Sequence, residues 1–336
     1  MHRYKTSISG VFVIYLIIVK MKGLVIKNAG NRYEVVTDDG NIYYCNVKGN
    51  FRLKGIRTTN PVAVGDRVEF SPSERDGQPG YITAIEPRKN YIIRRASNLS
   101  KEAHILAANI DQMALIVTLA HPTTSLTFID RLLATAEAYG VKALLVINKT
   151  DLLESEEDRE LLEAVSYLYS SIGYHVVAVS AKTGAGLDRL RELLGGKVTL
   201  LSGNSGVGKS TIINDILPSV KQKTAEISAV HNTGMHTTTF SEMFAFPAEM
   251  GGGFIIDTPG VKGFGTIDFD KTEVSHYFPE IFKASADCKY GNCTHTHEPG
   301  CNVRRMLDEN LIAQSRYNSY LSILEDSADD KYRKPF

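Results

Sequence analysis

Neither sign of charge predominates in this sequence of 336 residues, where 38 lysines and arginines stand against 38 aspartates and glutamates. No global field therefore marks the chain as a binder of nucleic acid or of membrane surfaces, and any basic surface has to be local. Cysteine is also scarce. Four residues cannot make a disulfide framework for a chain this long, and three of them, Cys288, Cys293 and Cys301, lie beside histidines. That grouping reads as a metal site in a reducing compartment, so a cytoplasmic protein is expected. Cys45 stands apart and reads as a small buried strand residue. Long apolar runs are missing as well. Residues 11–19 follow His2, Arg3 and Lys5 as the core of a signal peptide would. They are too few to span a bilayer, and no small-residue cleavage site follows. Residues 1–20 therefore read as an over-extended start or a disordered leader ahead of Met21, and no membrane partner is expected.

What the sequence does contain is a phosphate-binding loop, Gly203-Asn204-Ser205-Gly206-Val207-Gly208-Lys209-Ser210-Thr211, with the spacing Gly-x4-Gly-Lys-Ser. Its glycines let successive backbone N–H groups point at phosphate oxygens, Lys209 can reach the β and γ phosphates, and the Ser210 hydroxyl can ligate Mg²⁺. The apolar residues 198–201 before it read as a buried strand. Residues 210–216 after it open a helix, whose N-terminus favours anions.

The chain ahead of the loop divides in two. Residues 21–95 alternate as short strands (23–26, 32–36, 42–45, 66–70 and 80–85) separated by Gly30-Asn31, Asp39-Gly40 and Asp76-Gly77. Five such strands suit an all-β barrel of the oligonucleotide-binding (OB) type. This region holds 13 Lys/Arg against 8 Asp/Glu, densest at 48–57, which suits RNA, although barrels of this size also serve as docking modules. Residues 93–101 read as a linker. Beyond it, apolar strands at 111–117, 143–147 and 175–179 alternate with helical patterns carrying Phe128, Ile129, Leu132 and Leu133, then Leu161, Leu162, Val165 and Leu168, then Leu187, Leu190 and Leu194. That is βαβα order, an α/β domain on a parallel sheet, with ligands expected at the carboxyl ends of the strands.

The candidate motifs fall at those ends. Asn148-Lys149-Thr150-Asp151 matches the guanine-reading Asn-Lys-x-Asp pattern. A carboxylate at Asp151 can accept from both the ring N–H and the exocyclic amine of guanine, while Asn148 and the Lys149 stem shape the pocket. Ser180-Ala181-Lys182 could offer backbone amides to the guanine carbonyl. Asp257-Thr258-Pro259-Gly260 follows an apolar strand, where Asp257 can hold Mg²⁺ and the Gly260 N–H can meet the γ-phosphate. Between it and the phosphate loop lies Gly234-Met235-His236-Thr237-Thr238-Thr239, in which one threonine, taken as Thr238, would complete the magnesium site. The order is unusual: base readers first, then the phosphate loop, then the switch segments. Joining the old termini of a GTPase and cutting elsewhere would produce it while preserving every contact.

After the switches come Cys288-x4-Cys293-x-His295-x5-Cys301, a closed three-thiolate, one-imidazole set suited to one structural Zn²⁺, with His297 as the other candidate nitrogen ligand. The tail from Arg304 to Leu324 reads as helical, and residues beyond Asp326 as frayed. The expected division is 21–95 barrel, 96–270 circularly permuted P-loop GTPase domain, and 271–336 zinc-binding helical domain.

These motifs, together with Met21-Lys22-Gly23-Leu24-Val25 and Val64-Gly65-Asp66-Arg67-Val68, resemble the family of ribosome small-subunit-dependent GTPases of type A, circularly permuted bacterial GTPases of small-subunit maturation. The resemblance runs from Met21 to about Leu324. It implies GTP hydrolysis, Mg²⁺ with the nucleotide, one zinc, contacts to the small ribosomal subunit and its rRNA, and a monomer cycling between GTP and GDP. It leaves two classes of function: a GTP hydrolase stimulated by the subunit, or an rRNA-binding assembly module for which GTP is mainly a structural ligand. Val261 stands where many GTPases carry a water-orienting Gln, so slow intrinsic hydrolysis is expected, with His236 the candidate for the missing function. Lys209, Asp257 and Gly260 complete the expected catalytic set.

Overall fold

A computed structural model describes residues 7–8, 11–12, 20–47, 61–73, 78–95, 103–217, 241–257 and 269–329. The basic segment 48–57 lies outside these, as do His236 and its threonines, Thr258-Pro259-Gly260 and Val261. Near the start β1 (Ser7–Ile8) and β2 (Val11–Phe12) pair antiparallel.

The barrel comprises β3 (Met21–Ala29), β4 (Arg32–Val36), β5 (Ile42–Val47), β6 (Arg67–Ser71) and β7 (Gly80–Ile85). The turns at Gly30 and Gly40 close the antiparallel pairs β3–β4 and β4–β5. The ring shuts because β5 runs parallel to β7, β7 pairs with β6, and β6 returns to β3. Alternate residues point inward, so Val25, Tyr33, Val35, Cys45, Val68, Phe70 and Ile82 fill the interior. Cys45 is fully buried, and burial pushes its thiol up to about 12, as suits a packing residue. The barrel's exit is pinned by charge. Arg88 donates from Nε and Nη2 to the two oxygens of the wholly buried Asp66, both at 2.6 Å, and Asp66 also accepts from the Ala63 N–H at 2.8 Å.

The segment expected as a linker belongs in part to a hairpin. β8 (Tyr91–Arg95) pairs antiparallel with β9 (Ala103–Ala108), and Val64 bridges to Ala107.

The second sheet is built from β10 (Gln112–Val117), β11 (Lys142–Ile147), β12 (His175–Ala178), β13 (Val198–Ser202), β14 (Glu242–Ala245) and β15 (Phe254–Asp257), in the order 12-11-10-13-15-14. All of its pairs are parallel except that of β14, which runs antiparallel to β15. Every residue of β10 is buried, as a central parallel strand requires. One face is covered by α1 (Leu126–Ala138) and α2 (Glu156–Ile172), the other by α3 (Leu187–Leu194) and α4 (Lys209–Ile216). The α2 boundaries follow from sequence. Ser155 and Asp158 form a reciprocal capping box, three acids occupy the first turn, and Gly173 ends the helix at φ 114°. The chain enters this sheet at its centre, runs outward through β11 and β12, then crosses back to β13 beside β10. The order of strands therefore reverses between β10 and β13, which places the ligand crevice outside their carboxyl ends. β14 also touches the barrel: Glu242 pairs with Lys27 of β3, and Lys27 Nζ reaches the Glu242 carboxylate at 3.0 Å.

The C-terminal part packs three helices, α5 (Pro279–Ser285), α6 (Asn302–Asp308) and α7 (Gln314–Asp329), over its own core of Phe269, Phe278, Ile281, Val303, Tyr320 and Ile323. The tail read as one helix from 304 is two, because the chain turns at Asn310, φ 57°, before restarting at Gln314. The second helix runs past Asp326, where fraying was expected. Among the described residues no helix is long and apolar enough to cross a membrane.

Candidate nucleotide and metal sites

The phosphate loop sits where the topology places it, between β13 and α4. Two of its glycines are dictated by close approach. A Cβ on Gly203, φ 141°, would lie 2.2 Å from the Ile116 carbonyl oxygen, and one on Gly208, φ 96°, would lie 2.3 Å from Asn148 Nδ2. Lys209 Nζ donates to the carbonyls of Gly203 and Asn204, each at 2.7 Å, which folds its stem over the loop. Ser205, Gly206, Ser210 and Thr211 are exposed on the same rim, while Val207 is buried beneath it.

Asn148, only 2 % exposed, spends its amide on binding the site together. Its Nδ2 donates to the Val207 carbonyl at 2.8 Å, and its Oδ1 accepts from the Ala181 N–H at 3.1 Å. Three segments far apart in sequence, the phosphate loop, the Asn148 motif and the Ser180 motif, thus form one hydrogen-bonded unit. Asp151 accepts from Ser180 Oγ at 2.6 Å and has Lys182 Nζ 3.7 Å away. The Ser180 hydroxyl above all, then its own backbone N–H and the Lys182 ammonium, hold its carboxyl below the usual range against the opposing effect of desolvation. Asn148, Lys149, Asp151, Leu152, Ala181, Lys182, Gly208 and Thr211 line a cleft of about 230 Å³. Leu152 was not among the sequence candidates, and an apolar residue beside a base pocket carries no motif of its own.

Asp257 ends β15 opposite Leu201, one residue before the end of β13, so its carboxylate lies beside the start of the phosphate loop. Burial raises the Asp257 carboxyl above its ordinary value although Lys209 pulls the other way, and burial lowers Lys209 although Asp257 opposes it. A half-buried carboxylate of this kind, at the strand end beside the phosphate loop, suits a divalent cation. Of the expected magnesium set, Ser210 and Asp257 are placed; Thr238 lies outside the described residues, as do the expected catalytic His236 and Gly260.

The loop of residues 118–124 also reaches the crevice, and sequence reasoning missed it. Its one available signal was its position directly after the central strand β10. Lys149 Nζ donates to the His121 carbonyl at 2.6 Å, and Pro122 lies alongside Gly206.

In the C-terminal part the ligating atoms of Cys288, Cys293, His295 and Cys301 all fall within 4.8 Å of one another. Cys288 Sγ and Cys301 Sγ are each 3.6 Å from His295 Nδ1 and 4.0 Å apart. Tetrahedral ligands at about 2.3 Å (sulfur) and about 2.0 Å (nitrogen) from one Zn²⁺ stand roughly 3.5–3.8 Å from each other, so the donor set fits that ion. His297 turns to Thr296 Oγ1 instead, at 2.9 Å. The ligand loop is held from outside: the Asn302 and Arg304 N–H groups donate to Cys288 and Cys301 sulfur, and the hydroxyls of Tyr317 and Tyr320 donate to the carbonyls of His295 and Thr294 at 2.6 and 2.7 Å.

Comparison with known proteins agrees with this arrangement. A family model described as RsgA GTPase matches residues 85–267, and one described as RsgA N-terminal domain matches residues 22–82. The chain is 60 % identical over 316 residues to the small ribosomal subunit biogenesis GTPase RsgA of Bacteroides fragilis, covering 94 % of this chain and 100 % of that one. It is 58 % identical, with the same coverage, to the protein of that name from Porphyromonas gingivalis. Among solved structures, YjeQ from Thermotoga maritima superposes with a TM-score of 0.74 at 32 % identity, covering 92 % of this chain and 99 % of that one. YloQ, described as a circularly permuted GTPase, gives 0.71 at 26 % identity, with 95 % and 97 % covered.

Proposed function

The chain belongs to the RsgA GTPase family, and on that premise we propose how its own residues carry out GTP hydrolysis in small ribosomal subunit biogenesis. The observation that carries the reading is Asn148, whose single buried amide ties the phosphate loop to both base-reading motifs. Asp151, kept ionised by Ser180 and Lys182, accepts from the two N–H groups that guanine presents and adenine lacks. A site built for those hydrogen bonds rejects the wrong base, because its own groups would be left unpaired. The Ala181 N–H is held by Asn148, so the neighbouring backbone of Lys182 and Ser180 is fixed around the guanine carbonyl. Lys209 exchanges its two loop carbonyls for phosphate oxygens. Ser210 and Asp257, with Thr238, would hold Mg²⁺, which supplies positive charge at the β and γ phosphates. The Gly260 N–H would meet the γ-phosphate.

One Zn²⁺ held by Cys288, Cys293, His295 and Cys301 would hold the C-terminal part together. The partner proposed for the barrel is rRNA of the small subunit. Its support is an outer barrel face on which Tyr44 and Tyr81 are 62 % and 45 % exposed, Arg32 stands opposite Asn46, and Asn46 stands opposite Tyr81. Such a face offers bases a stacking surface. Lys48, Arg52, Lys54 and Arg57 follow in sequence without an acid among them. The protein is proposed to act in the cytoplasm as a monomer. Measuring GTP turnover with and without purified small subunits tests the whole reading: stimulation supports it, and equal rates with the subunits bound would refute it.

A further inference from the structure

We propose that the loop of residues 118–124 is a third wall of the nucleotide site, and that Thr118 is a positioning residue that sets Lys149 for binding the guanine base. The inference rests on the reading of that site as the GTP site. The crevice at the reversal of strand order is flanked by the two loops that leave β13 and β10. The first is the phosphate loop; the second is 118–124. The end of β10 is already part of the site, since the Val117 carbonyl accepts from the Asn148 N–H at 2.8 Å and the Ile116 carbonyl lies against Gly203.

The loop has a fixed internal structure. Thr118, fully buried, donates from Oγ1 to the Pro122 carbonyl, its N–H donates to Thr124 Oγ1 at 3.2 Å, and its own carbonyl accepts from the Thr124 N–H at 2.9 Å. These bonds close a tight turn with His121 and Pro122 at its tip. The tip presents the His121 carbonyl to Lys149 Nζ at 2.6 Å, and both residues hold left-handed backbones, φ 46° and φ 63°, which non-glycine residues seldom adopt. On its other side Pro122 would stand 3.7 Å from a Cβ at Gly206. The loop therefore spans from the base reader to the phosphate loop. The flexible Lys149 stem is fixed over the cleft by a carbonyl whose position the Thr118 hydroxyl determines. A threonine that merely turned the chain into α1 would have no need of that link, since Ser125 already caps that helix.

The test is a double-mutant cycle on equilibrium GTP affinity. Thr118→Val should weaken GTP binding about fivefold in the wild-type background, the scale of one net hydrogen bond. In a Lys149→Met background, where no ammonium remains to be placed, the same substitution should change affinity less than about twofold. Thr118→Ser should restore the wild-type value. An equal loss in both backgrounds, or none in the wild type, overturns the proposal. Should Thr118→Val fail to fold by thermal unfolding, Thr124→Val, which removes the other half of the same clasp, is read through the identical cycle. Asp151→Asn runs in parallel. If it leaves GTP affinity unchanged, the site reading itself falls and this inference with it; if it weakens GTP while the Thr118 cycle is additive, only the inference falls.

Discussion

Arg316 and Asp130 meet at 2.8 Å with side chains 1 % and 0 % exposed, one from the last helix of the chain and the other from the first helix on the GTPase sheet. The guanidinium also donates from Nε and Nη2 to Glu280 at 2.7 and 3.1 Å and lies 4.6 Å from the Phe278 ring centroid, while the Tyr169 hydroxyl donates to the same Asp130 oxygen at 2.7 Å. Carboxylates from α1 and α5 thus share one cation from α7, which fixes the C-terminal part against the GTPase domain. Removing one member leaves a buried charge uncompensated, which costs far more than the intact pair contributes. Arg316→Ala should therefore lower stability by about 3–5 kcal/mol, seen as a shift in the denaturant midpoint. A change below about 1 kcal/mol would show that the pair is solvated in solution.

The same logic applies to Asp66 and Arg88 at the barrel's exit. Asp66→Ala should cost about 3 kcal/mol and loosen the segment leading into β8, whereas Lys22→Ala, which breaks a solvent-exposed pair with Glu86, should leave stability nearly unchanged. Equal effects of the two substitutions would contradict the burial argument.

Guanine selection should rest on Asp151. Replacing it with Asn should weaken GTP binding by about 2 kcal/mol or more and shift preference toward xanthine nucleotides, since a hydrogen-bonded charge is lost. Titration with both nucleotides reads the change directly. The direction of the pH effect follows from the Ser180 contact. With the Asp151 carboxyl held below its ordinary range, the ionised form that guanine needs persists as pH falls, so affinity should be lost on acidification only at a lower pH than an ordinary aspartate would give. Ser180→Ala removes the larger cause and should bring the loss of affinity on acidification to a higher pH.

Metal removal should separate the two ends of the molecule. Chelation, or Cys293→Ala, should release one zinc per chain and loosen the region around α5–α7, because metal binding energy there is folding energy. GTP affinity should survive, since no ligand of that cluster lines the nucleotide cleft. Retention of zinc after substitution of Cys288, Cys293, His295 or Cys301 would rule out the assignment.

Much of this was legible in the sequence because it is local. Gly203 to Thr211 carries its chemistry in nine consecutive residues, and the five barrel strands and five of the six sheet strands announce themselves by alternation or apolar runs. The four-residue strand β14 has too little pattern to be seen. The β8–β9 hairpin was taken in part for a linker because its pairing partner begins beyond residue 101. What the sequence cannot display is contact at a distance. Arg316 and Asp130 are separated by 186 positions, and neither belongs to any motif. The clasp of Thr118 on Pro122 is close in sequence, yet it acquires meaning only once Lys149 is seen to reach His121. His295 and His297 are equivalent as letters, and the turn at His295, φ 60°, is what points one ring at the thiolates and leaves the other outside.

Hydrolysis should depend on the ribosomal subunit, with His236 as the group that the switch supplies. Val261 cannot orient water, and in sequence His236 stands beside the threonines expected to meet Mg²⁺. An imidazole can hydrogen-bond the attacking water. Low basal turnover is expected, with strong stimulation by small subunits that His236→Ala abolishes while GTP affinity stays nearly intact. Single-turnover assays on subunit-bound protein make the comparison, because they remove differences in association. A His236→Ala protein that binds subunits and hydrolyses GTP at the stimulated wild-type rate would end the catalytic role of His236. The GTPase reading itself would stand, because it rests on the phosphate loop, Asp257 and the family.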